Sequence, residues 1–426
     1  MRIAVFTNQF PSKVSTFFAW DMAALGAAGA DIEVFAVWPD DPELWDWVPQ
    51  VAGADAVPRD RIHHLTVRSA LPSAVRHPSP GRLGRRSADA GRALAASLRW
   101  GPTTVAKTGY VLPLAWHWAQ RATGRYDHVL AYWGNHAATC AWAFARELPG
   151  GPVPFSTYLH AGIDLYFQRA LLPTKLRAAA AVLPVCEFNE RYLAAHCGRA
   201  YAEVRERVHV HHLGIDLDAY PCRRDGRKAD TVLGVGRFDR HKGFHHLVDA
   251  VGAVPGARLE LIGDGDERSA LERRAAEVGA GDRVSFLGWR SPDEVRAAMA
   301  TATVLAHPST GLGDAVPTVI KEALASGLPV VGSDAVGIPE LLDHGRAGRL
   351  VPPGDVPSLA RELGSLLADG PARDHLARAG RHHAEVTFDA RLNGARLARI
   401  LEQATSDHHA RSRPRTRSGS SPGARG

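Results

Sequence analysis

The stretch Thr231-Val232-Leu233-Gly234-Val235-Gly236-Arg237-Phe238-Asp239-Arg240-His241-Lys242-Gly243 decides the fold. Its first half is a short apolar run that predicts a buried strand, and Gly236 marks where the strand gives way to a loop. Two cations, Arg237 and Lys242, then converge on a loop that opens a helix. Arginine offers a planar fork of donors and lysine a mobile point charge, and both suit a diphosphate. The spacing excludes two better-known phosphate loops. The glycines do not fall as G-x-G-x-x-G, and no G-K-[ST] occurs. Gly263-Asp264-Gly265 fails the first test as well, because Arg268 holds the third glycine position.

On either side of this stretch, short apolar runs alternate with amphipathic segments, which predicts an α/β protein with parallel sheets built from βαβ units. Before it, strands are predicted at 2–6, 32–37, 128–131, 153–157, 181–185 and 208–211, with a helix at 16–28. After it, strands are predicted at 258–262, 283–287, 303–306 and 329–332. The pattern restarts at Thr231, so two Rossmann-like, doubly wound domains are expected to face each other across a cleft. The expected boundaries are 1–217 for the first domain, 218–230 for a linker rich in charge, and 231–387 for the second domain. A C-terminal helix follows at 388–405, turned back toward the first domain, and then a disordered basic tail at 406–426. A chain of 426 residues suits two domains at ~150 residues or more each.

A second informative segment is Pro308-Ser309-Thr310-Gly311-Leu312-Gly313-Asp314-Ala315-Val316-Pro317-Thr318-Val319-Ile320-Lys321-Glu322-Ala323. Pro317 suits the start of a helix that stops near Ser326-Gly327. Free amides at that start favour a phosphate, and Glu322, a turn and a half in, can accept from two sugar hydroxyls.

Charge narrows the partners. The formal net charge is +6, of which the tail 406–426 holds +4 (five Arg against one Asp). The body is therefore nearly neutral, and with no aromatic residue in the tail a nucleic-acid partner is not expected. Between Pro58 and Lys107, ten Lys or Arg stand against two acids, a net of +8. That stretch reads either as the solvated face of two surface helices or as a landing patch for an anionic acceptor or membrane surface, with Trp100, Trp116 and Trp118 as interfacial anchors. Four scattered cysteines and no apolar run long enough for a leader or membrane span lead us to expect a cytoplasmic protein, peripheral at most to the inner membrane face. No metal site is expected: His241 and His245 lack a neighbouring carboxylate, and Asp264-Gly265-Asp266 belongs to a strand-to-helix turn.

These residues resemble the nucleotide-binding half of family 4 glycosyltransferases, retaining enzymes of the GT-B fold. The likeness rests on Gly236-Arg237 with Lys242-Gly243, on Ile262-Gly263-Asp264-Gly265, and on Val284-Ser285-Phe286-Leu287-Gly288. It continues through Pro317 and Glu322-Ala323-Leu324-Ala325-Ser326-Gly327-Leu328-Pro329 to Gly337-Ile338-Pro339-Glu340. The first half is similar to the colanic-acid and exopolysaccharide branch, through Gln9-Phe10-Pro11-Ser12, Ser15-Thr16-Phe17, Trp133-Gly134-Asn135-His136, His160-Ala161 and Asp164-Leu165-Tyr166.

The resemblance implies a hexosyltransferase that needs no cofactor or metal and takes a nucleotide-diphosphate sugar, a UDP-sugar being favoured. Arg237 and Lys242 would neutralise the diphosphate, Glu322 would hold the ribose, and Asp314 would contact the transferred sugar. Gly236, Gly263, Gly265, Gly288, Pro317, Thr318 and Val319 would complete the donor site. His160 would sit near the reacting carbon, with Phe10, Ser15, Asn135 and His136 on the acceptor side. The acceptor would be a glycan, a lipid-linked sugar or a small molecule such as an aminoglycoside. One departure stands out: the family's usual Glu-Gly pair is Asp314-Ala315 here, which shortens the carboxylate arm by ~1.5 Å. A sugar-nucleotide-binding protein with weak or no catalysis is the alternative this departure raises.

Overall fold

A computed structural model describes the chain except for residues 13–15, 47, 49–55, 67–79, 168, 223–225 and 413–426. Its core is two six-stranded parallel sheets. The first runs β3-β2-β1-β4-β5-β6, with β1 at Arg2–Thr7, β2 at Asp31–Ala36, β3 at Ile62–His64, β4 at His128–Ala131, β5 at Phe155–Leu159 and β6 at Ala181–Pro184. The second runs β12-β11-β10-β7-β8-β9, with β7 at Thr231–Val235, β8 at Arg258–Ile262, β9 at Val284–Gly288, β10 at Val304–His307, β11 at Val330–Ser333 and β12 at Arg349–Val351. Both have the doubly wound 3-2-1-4-5-6 order.

The central strands are apolar on both faces because helices cover both faces. In the first sheet, Phe6, Phe35, Trp118 and Phe144 pack on one side, and Ile3, Val5, Phe18 and Leu25 on the other. Helix Pro102–Arg121 lies against the first of these faces. Its Val111, Leu112, Ala115 and Trp118 are buried, so apolar packing sets its place.

Val208–His211, expected as a strand, forms only a bridge from Val208 to Val182 and one further backbone bond from His211 to Pro184. Two short edge strands, β3 and β12, take positions that sequence periodicity did not reveal.

The chain crosses between the sheets twice. Ile215 N–H donates to the carbonyl of Phe388 (2.8 Å), and Ala390 N–H to that of Ile215 (3.0 Å), so the outward and return crossings are bonded together. Gly214 makes this approach feasible, since a Cβ there would lie 2.3 Å from Ala390 Cα. After the return, helix Ala390–Ser412 packs along helix Thr16–Ala27, with Gly394 against Ala24. Residues 406–412, assigned by composition to a disordered tail, extend this helix. Thr405 anchors it there by sharing a hydrogen bond with the buried His128 ring (2.8 Å).

Candidate functional site

In a doubly wound sheet the loops diverge where the strand order reverses, and a crevice opens at the carboxyl ends of the strands. That point lies between β7 and β10 in the second sheet. The loops leaving it are Gly236–Gly243 and Pro308–Pro317, the two segments singled out from sequence. They are tied together: Thr310 N–H donates to the His241 carbonyl (2.8 Å), as does Ser309 Oγ (3.0 Å). Gly243 starts helix Phe244–Ala253 at φ 70°, and a Cβ there would meet Pro308 O at 2.1 Å. Only glycine fits both demands.

Lys242 Nζ lies 2.8 Å from Asp314 Oδ1, and His307 Nε2 lies 2.6 Å from Asp314 Oδ2. Burial alone would raise the Asp314 pKa, but the Lys242 ammonium and the His307 imidazole outweigh it and hold the carboxyl well below the usual range. Asp314 is therefore an ionised group with both oxygens engaged. Arg237, by contrast, is largely exposed, and among the described residues its side chain pairs with Asp239 through Nε, which leaves its terminal nitrogens outside that contact. His307 was missed in the sequence; its only signal was a polar residue closing a buried strand.

Gly263 brings β8 against the same loop: a Cβ there would stand 2.0 Å from Gly236 O. A Cβ on Gly265 would stand 2.8 Å from Phe238 N, and the Gly288 carbonyl accepts from Gly263 N–H (2.9 Å). Asp264, of the metal-like triplet, pairs instead with Arg268 (3.2 Å). Helix Thr318–Ala325 begins after Pro317 with no side-chain cap, so the amides of Thr318 and Val319 stay available at its positive end. Glu322 Oε1 accepts from the Tyr220 hydroxyl (2.9 Å), a partner from the linker that sequence did not suggest. Burial raises the Glu322 pKa, opposed by Tyr220, Lys321 and Arg296.

On the first sheet, His160 follows β5 and is buried among Trp133, Tyr158, Tyr132 and Phe17, with the Trp133 ring at 4.4 Å. Its Nε2 lies 2.7 Å from the Tyr132 carbonyl, which can only accept, so Nε2 carries the proton. Burial lowers its pKa to about 4 against the opposing carbonyl, with Lys321 lowering it further. His160 is thus a neutral, fixed ring. Phe17 links it to the donor side: that ring packs against the cluster of Phe18 and Tyr132, as does Val316 of the donor loop.

The remaining acceptor-side residues are not gathered there. Phe10 is a core residue whose ring packs tilted against Phe18, and its carbonyl meets His64 Nε2 (2.7 Å). Asn135 caps helix His136–Glu147 by accepting from Ala137 N–H (3.1 Å). His136 turns to a small cavity with Ser97, Thr108 and Leu171. Ser15 lies outside the described residues.

Lys321 joins the two walls. Its ammonium is fully buried and donates to the Leu213 carbonyl (2.9 Å) on the outward crossing, near the buried Asp21 of the first domain. The helix that presents Glu322 is thereby anchored to the junction between domains.

Residues 224–383 match the model of the family described as Glycosyl transferases group 1. Over 306 residues the chain is 30% identical to the GDP-mannose-dependent alpha-(1-6)-phosphatidylinositol monomannoside mannosyltransferase of Mycolicibacterium smegmatis, covering 66% of this chain and 78% of that one. The chain belongs to the group 1 glycosyl transferases. This group 1 glycosyl transferase is also 26% identical over 432 residues to the amylovoran biosynthesis glycosyltransferase AmsK of Erwinia amylovora, covering 95% of this chain and all of AmsK. A shorter match, 37% identical over 152 residues, spans 44% of the lipopolysaccharide core glycosyltransferase LpsE of Rhizobium meliloti. Among solved structures, Anabaena HepE in complex with UDP and glucose superposes with a TM-score of 0.65 at 21% identity, over 95% of this chain and all of that one. That likeness and the two sheets give this group 1 glycosyl transferase the GT-B fold.

Proposed function

We propose that this glycosyltransferase is a retaining hexosyltransferase that moves a sugar from a nucleotide-diphosphate donor, a UDP-sugar foremost, to an acceptor hydroxyl in polysaccharide or glycolipid assembly. One observation carries the reading: Lys242, Arg237 and the uncapped start of helix Thr318–Ala325 border one crevice at the switch point of the second sheet, with Glu322 on that helix. The cations would take the diphosphate and Glu322 the ribose. The bond from the sugar's anomeric carbon to the phosphate oxygen breaks, and the acceptor oxygen bonds that carbon from the same face. The acceptor's proton passes to the departing phosphate oxygen. Arg237 and Lys242 stabilise the charge that develops on that phosphate, so no metal is assigned to the step.

The relatives' printed names favour exopolysaccharide, lipopolysaccharide or phosphatidylinositol-linked acceptors over a small natural product such as an aminoglycoside. The acceptor would then enter beside His160 and Trp133, at the cytoplasmic face of the membrane. Among the described residues no helix is long and apolar enough to cross a membrane.

A second reading, a sugar-nucleotide-binding protein with little turnover, is favoured by Asp314, whose two oxygens are both occupied. Thermal shifts with a panel of UDP- and GDP-sugars, followed by assay of nucleotide release, separate the two: binding with release supports the transferase, and binding without it the second reading.

A further inference from the structure

His307 closes β10, and its side chain is 1% exposed. Asp314 is 8% exposed and Lys242 18%, so the three form a contact chain that starts in the sheet and ends at the crevice. A carboxylate only accepts, so His307 Nε2–H and the Lys242 ammonium both donate to Asp314. The other ring nitrogen, Nδ1, is buried without a partner among the described residues. The ring is therefore held through a single polar contact, the one to Asp314.

A lysine ammonium rides on a long, flexible stem, and a site that must meet a diphosphate gains from having that charge already in place. Asp314 supplies a fixed anchor only if its own rotation is stopped. It sits on a loop between glycines and Pro317, and among the described residues no other side chain grips its second oxygen. We propose that His307 is a positioning residue of the donor site: by holding Oδ2 of Asp314 it fixes Oδ1, and Oδ1 in turn fixes the ammonium of Lys242 where the donor diphosphate binds. This rests on the reading of Lys242 as a diphosphate ligand, and it makes Asp314 an anchor for that lysine. It also accounts for the shorter side chain. With Oδ2 already 2.6 Å from His307 Nε2 and Oδ1 2.8 Å from Lys242 Nζ, the extra methylene of a glutamate would have to displace one of the two contacts.

The test is UDP binding by calorimetry to the full chain and to His307→Leu, His307→Gln, Lys242→Met and the His307→Leu/Lys242→Met double variant. Leu removes the donor, whereas the Gln amide reaches as far as Nε2 and keeps it. His307→Leu should weaken UDP about five-fold or more, His307→Gln should stay within about two-fold of the parent, and Lys242→Met should weaken it about ten-fold. Because His307 acts through Lys242, the double variant should be no weaker than Lys242→Met alone. A merely structural role would carry its full loss into the Lys242→Met background, and that result overturns the proposal. So does unchanged affinity in His307→Leu when Lys242→Met is weakened, an outcome that leaves the donor site intact. Unchanged affinity in Lys242→Met instead overturns the donor-site reading and the proposal with it. Should His307→Leu not fold, His307→Asn, too short to reach Asp314, takes its place with the same expected loss.

Discussion

Glu340 and His212 meet at 2.6 Å across the boundary between the two domains. The other oxygen of Glu340 accepts from the backbone N–H of Glu187 (2.8 Å), the first residue of helix Glu187–His196. One carboxylate of the second domain thus holds both a histidine beside the outward crossing and the positive end of a helix of the first.

Removing that carboxylate should loosen the pairing of the domains. Glu340→Ala forfeits two charge-assisted bonds, a half-buried one to His212 and an exposed one to Glu187 N–H, worth up to about 1.5–3 kcal/mol each. Urea unfolding should show a loss of a few kcal/mol, and Glu340→Gln, which keeps an acceptor and the size, should lose less. Equal midpoints for the parent and Glu340→Ala contradict the contact.

Acid should destabilise the fold. Burial pushes His128 down to about 3 and His136, His160 and His211 to about 4. In the unfolded chain each takes a proton near 6.5. Between those values the unfolded state binds more protons, so stability falls as pH drops from about 6.5 toward 4. Asp21 and Asp164, raised by burial to about 7, act with the opposite sign in the same window, but four groups outweigh two. His128→Asn deletes one of the four. Its unfolding free energy should therefore decline less steeply, by about 1.4 kcal/mol per pH unit. Parallel slopes for parent and variant would show that His128 takes up its proton in the native state.

Asp314→Glu distinguishes a sugar contact from an anchor. Both oxygens of Asp314 are seated, and an added methylene must displace the His307 or the Lys242 contact. Turnover with the best donor should fall about ten-fold, with a rise in donor KM. A gain in activity or a switch in preferred sugar would place Asp314 against the transferred sugar instead.

The charge of +8 between Pro58 and Lys107 is not all available to a membrane. Arg86 is buried against Glu147, Arg61 pairs with Asp31, and Arg92 with Asp89. What faces outward along helix Pro80–Leu98 and just past its end is thinner: half-buried Arg82 and exposed Arg99, with Leu83 and Leu98. Near anionic lipid each free base contributes about 1 kcal/mol. A chain ending at Ser412, which keeps the whole C-terminal helix, should co-sediment with anionic vesicles at low salt and be released as the Debye length shrinks to ~8 Å. Indifference to such vesicles moves a soluble acceptor ahead.

The parallel strands around β1 and β7 were legible because each is a run of apolar residues buried on both faces. Ile62–His64 and Arg349–Val351 were not, being too short and too mixed for a period to show. Trp118, read as an interfacial anchor beside the basic stretch, is instead buried on helix Pro102–Arg121 within a stripe of small and apolar residues. In the site, Gly236, Lys242, Asp314 and Glu322 were readable from local motifs. Tyr220 with Glu322 and His212 with Glu340 were not, since they stand 102 and 128 positions apart and only the double crossing brings them together. Phe10 and Asn135 read as acceptor residues in sequence, yet apolar packing claims one and helix capping the other.

Transfer itself is the most direct test. Nucleotide release should be followed for a panel of UDP- and GDP-hexoses, with glycan and lipid-linked acceptors and with EDTA present. At least one donor should turn over, with anomeric configuration retained in the product. Lys242→Met and Arg237→Ala should each reduce that rate about ten-fold or more, as expected when a charge-assisted contact is lost. If nucleotides bind yet no donor in the panel is consumed, the chain is a binding protein and the transferase assignment is wrong.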